Sequence, residues 1–387
     1  MKEGSGKCDA KDVILITIRK DVSEIQELAE TISYTITEVV YQNRSYPDRK
    51  YYVGEGKLCE IKKKIEEKNI ETLIVNDPLE PTQIYYIEKE TGAHVMDRTL
   101  LILEIFARNA NSVEAKLQVE LAKLQYEIPL MREYVHRYKT GEHSGAYAGG
   151  EYMVEQYYDL IKRRETKIRK ELEKYRRARE LQRKRRKELN FVTVALAGYT
   201  NAGKTTLLNA LTDAGALADN RMFTTLSTLV RRLNMPKKNI LVIDTIGFID
   251  GLPLYIIDAF RATYEEICAA DVVLVLVDGA DKESEALRKM KVVQTQIIQY
   301  AARFITGERV SKKFLYVITK IDLATPDKLS RLTELIKLET GCIPFLVSAL
   351  SFKGLDELIA GIEKHVEMYT KDEKAGRMKK VAYGMYE

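Results

Sequence analysis

The chain has 387 residues, 45% hydrophobic and 31% charged, with a formal net charge of +5. That length accommodates two or three domains, each able to bury a core. No apolar run approaches a membrane span, since Val272–Val277 is only strand-sized. The opening MKEGSGKCDAKD lacks the apolar core of a signal peptide. Cys8, Cys59, Cys268 and Cys342 are scattered without a CxxC pair, which indicates neither a zinc site nor a disulfide framework and points to the reduced cytoplasm.

The first region, residues 1–110, alternates strand and helix signals. Val13–Ile18 reads as a strand, the segments SEIQELAETI and KLCEIKKKIEEKNI as amphipathic helices, and ETLIVND and HVMDRT as strand ends. A small α/β subdomain follows from this. Its Gly54-Glu55-Gly56-Lys57 has two readings, a phosphate loop or a strand-to-helix turn, and a lone GxGK favours the turn.

Residues 111–190 are helical from about Ser112 to Lys187, interrupted by the glycine-rich Thr140–Gly150. Two long antiparallel helices are expected. The first has apolar residues at three- and four-residue spacing. The second has few, chiefly Ile161, Ile168, Leu172, Tyr175 and Leu181. Instead it is dense in cations: Arg176, Arg177, Arg179, Arg183, Lys184, Arg185, Arg186 and Lys187 are candidate RNA contacts. Glu165, Glu171, Glu173 and Glu180 offer i,i+4 partners, yet basic residues outnumber them, so the excess charge suits a polyphosphate. A membrane surface is disfavoured, because the arm lacks a broad apolar face.

Residues 191–370 hold the most specific motif. The β-rich run Phe191–Ala197, then GYTNAGKT (Gly198–Thr205), then a helical pattern from Thr206 make the strand–loop–helix context of a phosphate-binding P-loop. Gly198 and Gly203 permit the tight path, Lys204 reaches the β/γ-phosphates and the Thr205 hydroxyl can ligate Mg²⁺. The strand NILVID ends in Asp244, which with Gly247 forms a DxxG element: Asp244 holds the Mg²⁺ water shell and the Gly247 N–H meets the γ-phosphate.

Thr319, Lys320 and Asp322 end another buried run, where Asp322 can accept two hydrogen bonds from guanine N1 and N2. Ser348, Ala349 and Leu350 supply a loop N–H for guanine O6. Their order favours GTP and disfavours a metabolic P-loop kinase. Thr319 stands where Asn is usual, keeping a hydroxyl that can bridge to the P-loop. The strand–helix alternation implies a mostly parallel sheet of the Ras-like P-loop kind. Residues 371–387 form a charged tail expected to be disordered.

The chain resembles the HflX family. The likeness rests on GYTNAGKTTLLNALT, RMFTTLSTLVRR, DTIGFIDGLPLYIIDAFRATYEE, VGEGK and MDRTLLILEIFARNANSVEAKLQVELAKLQY, and covers nearly the whole chain. The resemblance implies an N-terminal α/β subdomain, a long helical hairpin and a G domain. It further implies ribosome-stimulated GTP hydrolysis, association with the large ribosomal subunit and its rRNA, and a role in rescuing or splitting ribosomes. A monomer is expected. Two departures stand out: only AYAGGE (Ala146–Glu151) replaces a longer glycine-rich loop with an Arg-Gly-Pro-Gly-Glu element, and no recognisable extra C-terminal domain is expected after the G domain.

The family pattern aligns Thr225 with the switch I threonine that closes over Mg²⁺ and the γ-phosphate, with Thr224 as its rival. The nucleotide-contacting set is completed by Tyr199, Thr200, Asn201, Ala202, Thr206 and Phe223. Phe248 occupies the place of the water-orienting Gln and cannot hydrogen-bond with its side chain, so intrinsic hydrolysis is expected to be slow and partner-stimulated. Asn201 has two readings, a K⁺ ligand near the phosphates or a residue chosen for loop geometry. An alternative function is an RNA-binding, remodelling or ribosome-assembly factor with GTP as secondary regulator.

Overall fold

A computed structural model describes residues 11–139, 150–212, 222–223, 228–233, 239–304 and 314–367. The expected tail at 371–387 and most of the glycine-rich loop lie outside the described residues. The chain divides into two compact units, Met1–Arg176 with Gly251–Ala259, and Arg177–Asp250 with Phe260–Glu387. The division between the units falls inside a helix.

In the first unit, β1 (Lys11–Thr17), β2 (Tyr34–Tyr41), β3 (Thr72–Val75) and β4 (His94–Asp97) form a parallel sheet in the order β2-β1-β3-β4. The alternating helices are α1 (Ser23–Thr31), α2 (Glu55–Lys68), α3 (Pro81–Thr91) and α4 (Arg98–Asn109). Helices on both faces bury the strands, so Val13–Ile16 is apolar throughout and almost fully buried. Asp97 ends β4 and caps α4, accepting from the Leu100 N–H at 2.8 Å and the Tyr126 hydroxyl at 3.1 Å. Burial pushes its carboxyl up to about 6. The GEGK segment is a helix start: Gly54 caps α2 and donates to Gln42 Oε1 at 2.8 Å, while Lys57 pairs with Glu60 at 2.8 Å.

Helix α5 (Val113–Lys139) runs through Pro129 and is followed by α6 (Gly150–Glu188). Arg164 forks onto Glu120 and Arg132 donates to the Tyr158 hydroxyl, a pairing in which one number rises as the other falls, so the helices are antiparallel. Ile161 and Ile168 are buried along this seam, whereas Tyr175 and Leu181 are 37% and 67% exposed. The apolar seam therefore fades where the first unit ends.

The second unit has a six-stranded sheet. Its strands are β5 (Val192–Gly198), β6 (Leu229–Arg232), β7 (Ile240–Asp244), β8 (Val272–Asp278), β9 (Phe314–Thr319) and β10 (Phe345–Leu346). The order is β10-β9-β8-β5-β7-β6, parallel except for the β6–β7 pair. Around it lie α7 (Lys204–Thr212), α9 (Arg261–Ala269), α10 (Glu283–Phe304), α11 (Pro326–Thr340) and α12 (residues 355–367). Between β7 and α9, the short α8 (Leu254–Ala259) belongs to the first unit and packs on α5. One core cluster joins β5, β7 and β8 to Leu207, Leu208 and Leu211 of α7 and to Leu358 and Ile362 of α12. That packing fixes where the carboxyl ends of the strands emerge.

Candidate nucleotide site

The loops after β5, β7, β9 and β10 gather at the carboxyl edge of the parallel sheet, where ligands of open α/β folds bind. After β5 the chain turns through Asn201 (φ 61°) and Gly203 (φ 81°), both left-handed, before α7 begins at Lys204. Gly198 has no room for a side chain, because an added Cβ would lie 3.0 Å from Leu276 Cβ and 3.2 Å from its carbonyl. Lys204 is buried and donates to the Gly198 and Tyr199 carbonyls at 3.0 and 2.8 Å. Burial lowers its pKa to about 8, Lys320 pushing the same way and Asp244 opposing.

The next residue, Thr205, donates from its hydroxyl to Asp244 Oδ2 at 2.8 Å, and Asp244 is fully buried at the end of β7. A hydroxyl and a buried carboxylate side by side are hard oxygen donors, a set that fits Mg²⁺. Beyond Asp244, Thr245 anchors to the Leu196 carbonyl at 2.6 Å. Phe248 then pairs with Tyr199 in a parallel bridge: its N–H donates to Gly198 at 3.0 Å and its carbonyl accepts from Thr200 at 2.8 Å. The Phe248 ring is 3% exposed and stands edge-on to Tyr264 at 5.5 Å.

On the other side, the Thr319 hydroxyl donates to the Ala202 carbonyl at 3.0 Å and lies 3.2 Å from that of Val277. Lys320, in the left-handed conformation at φ 53°, pairs with Asp278 at 2.6 Å. Asp322 is exposed in the short 3-10 turn Ile321–Leu323. Ser348 is fully buried, with its hydroxyl accepting from the Ser351 N–H at 3.1 Å, and presents Ala349 and the exposed Leu350. Thr206 sits in the first turn of α7, and Phe223 is buried at φ 57°. Thr224 and Thr225 lie outside the described residues.

Three family models match the chain in succession. They are described as GTP-binding GTPase N-terminal (residues 19–107), GTP-binding GTPase Middle Region (109–186) and 50S ribosome-binding GTPase (193–320). The protein named GTPase HflX of Thermococcus kodakarensis is 45% identical over 301 residues, 78% of this chain and 66% of its own length. The GTPase HflX of Thermofilum pendens is 40% identical over 342 residues, 88% of this chain and 78% of its own. The chain belongs to the HflX family of GTPases. A crystal structure described as a complex of SsGBP and GDP shares the fold, with a TM-score of 0.52 and 29% identity, covering 92% of this chain and 99% of that one.

Within this HflX-family chain the basic arm is less uniform than its sequence. Glu266, 3% exposed, takes Arg183 at 3.0 Å and Arg186 at 3.2 Å. These two guanidinium groups pair with a buried carboxylate of the second unit. Arg176 pairs with Glu173 at 3.3 Å, and burial lowers the pKa of Arg179. Arg177, Lys184, Arg185 and Lys187 remain exposed. Arg183, Lys184, Arg186 and Lys187 also line a cavity of about 260 Å³ with Phe191, Thr193, Glu266 and Asp271, at the amino-terminal edge of the sheet and away from the phosphate loop.

Two partners of the HflX site were not read from the sequence. Asp278 ends β8 as Asp244 ends β7, so an acid closing a buried apolar run was its available signal. Arg288 reaches Asp250 at 2.9 Å, whose N–H donates to the Tyr199 hydroxyl at 3.0 Å. Nothing in their spacing announces that link.

Proposed function

We propose that this chain is a ribosome-coupled GTPase. It binds GTP at the carboxyl edge of the second sheet, hydrolyses it slowly alone, and turns it over faster on the large ribosomal subunit, where it rescues or splits ribosomes. The observation that carries this reading is the state of Phe248. Its ring is packed against Tyr264 and both its backbone groups are tied to the phosphate loop. No hydrogen-bonding side chain stands at the position that orients water in many GTPases. A catalytic group or a rearrangement supplied by a partner fits that gap, and the family description 50S ribosome-binding GTPase supports the large subunit as the partner.

In this reading Lys204 leaves the Gly198 and Tyr199 carbonyls for the β- and γ-phosphate oxygens, while loop N–H groups at the start of α7 receive the remaining charge. Thr205 and Asp244 hold Mg²⁺, directly and through water respectively, with Thr225 as the switch I ligand. When bound, that ion neutralises charge developing on the phosphoryl oxygens. Asp322 accepts from guanine N1 and N2, Lys320 lies along the base on its Asp278 tether, and the Ser348–Leu350 loop offers an N–H to O6. The left-handed backbone of Asn201 is itself a reason for Asn, which tolerates that conformation. A K⁺-specific acceleration over Na⁺ would add a ligand role; equal rates would leave geometry as its whole role.

The exposed Arg177, Lys184, Arg185 and Lys187 support rRNA contact through counterion release. The test is GTP turnover with and without purified large subunits. Stimulation well above tenfold supports the reading. Unchanged turnover with salt-sensitive RNA binding would favour an RNA-binding factor that GTP merely regulates.

A further inference from the structure

Thr200 has a hydroxyl that the phosphate loop itself does not need. The residue is 5% exposed, and its Oγ1 is buried with no hydrogen-bond partner among the described residues. Buried hydroxyls in folded proteins are nearly always paired, and an orphan of this kind costs about 1–3 kcal/mol. Other threonines around the loop differ: Thr205 in α7 has Asp244, and the Thr319 hydroxyl at the end of β9 has Ala202. Thr245, one strand away, has Leu196.

The place of the orphan is informative. A Cβ built on Gly247 would fall 2.9 Å from Thr200 Cγ2, 3.0 Å from Thr200 Cα and 3.3 Å from Lys204 Nζ. Thr200 therefore packs its methyl and Cα against Gly247, the glycine read as addressing the γ-phosphate, and the Lys204 ammonium lies beside that same glycine. Its own N–H is already spent on Phe248. The side chain adds a hydroxyl donor next to Phe248, whose own side chain cannot donate.

We propose that Thr200 is a specificity-determining residue whose hydroxyl donates to a γ-phosphoryl oxygen, so that the chain distinguishes GTP from GDP. This deepens the nucleotide-site reading above and rests on it. In the diphosphate state the hydroxyl has no protein acceptor and gains nothing from the ligand. With the triphosphate it gains a charge-assisted bond in a dry site. Valine in its place keeps the shape and removes the donor, whereas serine keeps the donor.

The experiment measures affinities of the full chain for GDP and for a non-hydrolysable GTP analogue, in the natural protein, Thr200→Val and Thr200→Ser. The Thr200→Val protein is expected to bind GDP within about twofold of the natural one and to lose about ten- to a hundredfold for the analogue. Thr200→Ser should keep the natural ratio of the two affinities. An unchanged ratio in Thr200→Val overturns the proposal. So does an equal loss for both nucleotides, which would make the residue a brace of the loop. Failure of the natural protein to bind either nucleotide would instead sink the nucleotide-site reading itself.

Discussion

Thr319 Oγ1 lies 3.0 Å from the Ala202 carbonyl, so a single hydroxyl ties the end of β9 to the phosphate loop. The tie does not depend on the number of phosphates. Thr319→Val should therefore weaken GDP and GTP-analogue binding alike, by about tenfold, the cost of an unsatisfied buried acceptor. Thr319→Asn retains a donor and should recover most of that loss. Titration of both nucleotides against both variants checks this, and a loss confined to the triphosphate would contradict it.

Gly247 tests the other side of the loop. An alanine there meets Thr200 Cγ2 at 2.9 Å and its Cα at 3.0 Å, one of them backbone, so the loop must shift. Displacements of this size at a reacting centre cost on the order of 10²-fold in rate. Gly247→Ala is expected to lower turnover by about that factor while leaving GDP affinity within about threefold. Single-turnover hydrolysis and GDP titration measure the two separately.

Glu266 makes a prediction about stability rather than binding. It is nearly fully buried between Arg183 and Arg186. Removing one member of such a cluster strands the others, at about 3–5 kcal/mol. Glu266→Ala should lower the denaturant midpoint of the second unit accordingly and leave GDP affinity unchanged, since the cluster lies at the opposite edge of the sheet. An effect below about 1 kcal/mol would mean that water already reaches the cluster.

Lys204 sets a pH dependence. Its pKa falls from 10.5 in the unfolded chain to about 8 in the folded one, because burial disfavours the ammonium. The unfolded chain thus binds more protons between those values, and the stability cost of burying the charge is present below about 8 and relieved as pH rises from about 8 to 10.5. In the proposed site the charged ammonium binds the phosphates, so nucleotide affinity depends on pH in the opposite sense. GDP affinity should fall above pH 8 with a slope approaching one proton, read by titration at several pH values. A flat profile to pH 9.5 would show that Lys204 stays charged.

The candidate nucleotide site was legible because its parts are local. A glycine-punctuated loop between a β-rich run and a helix, and acids closing apolar strands, place Lys204, Thr205, Asp244 and Asp322 by sequence spacing alone. Both sheets follow from the same strand–helix alternation. What remained hidden depends on distant pairing. The charge of Arg183 and Arg186 looks identical to that of Lys184 and Lys187 until Glu266, some eighty residues later, folds beneath two of them. The affiliation of α8 with the first unit is likewise invisible in its six residues. The antiparallel edge strand β6 has only four residues, and its direction is set by pairing with β7.

The measurement that bears most directly on the central claim is co-sedimentation of the protein with purified large ribosomal subunits, in GDP and in a non-hydrolysable GTP analogue. A ribosome-coupled GTPase should pellet with the subunits at least tenfold more tightly in the analogue than in GDP. Equal binding in both nucleotides, or none in either, would contradict it.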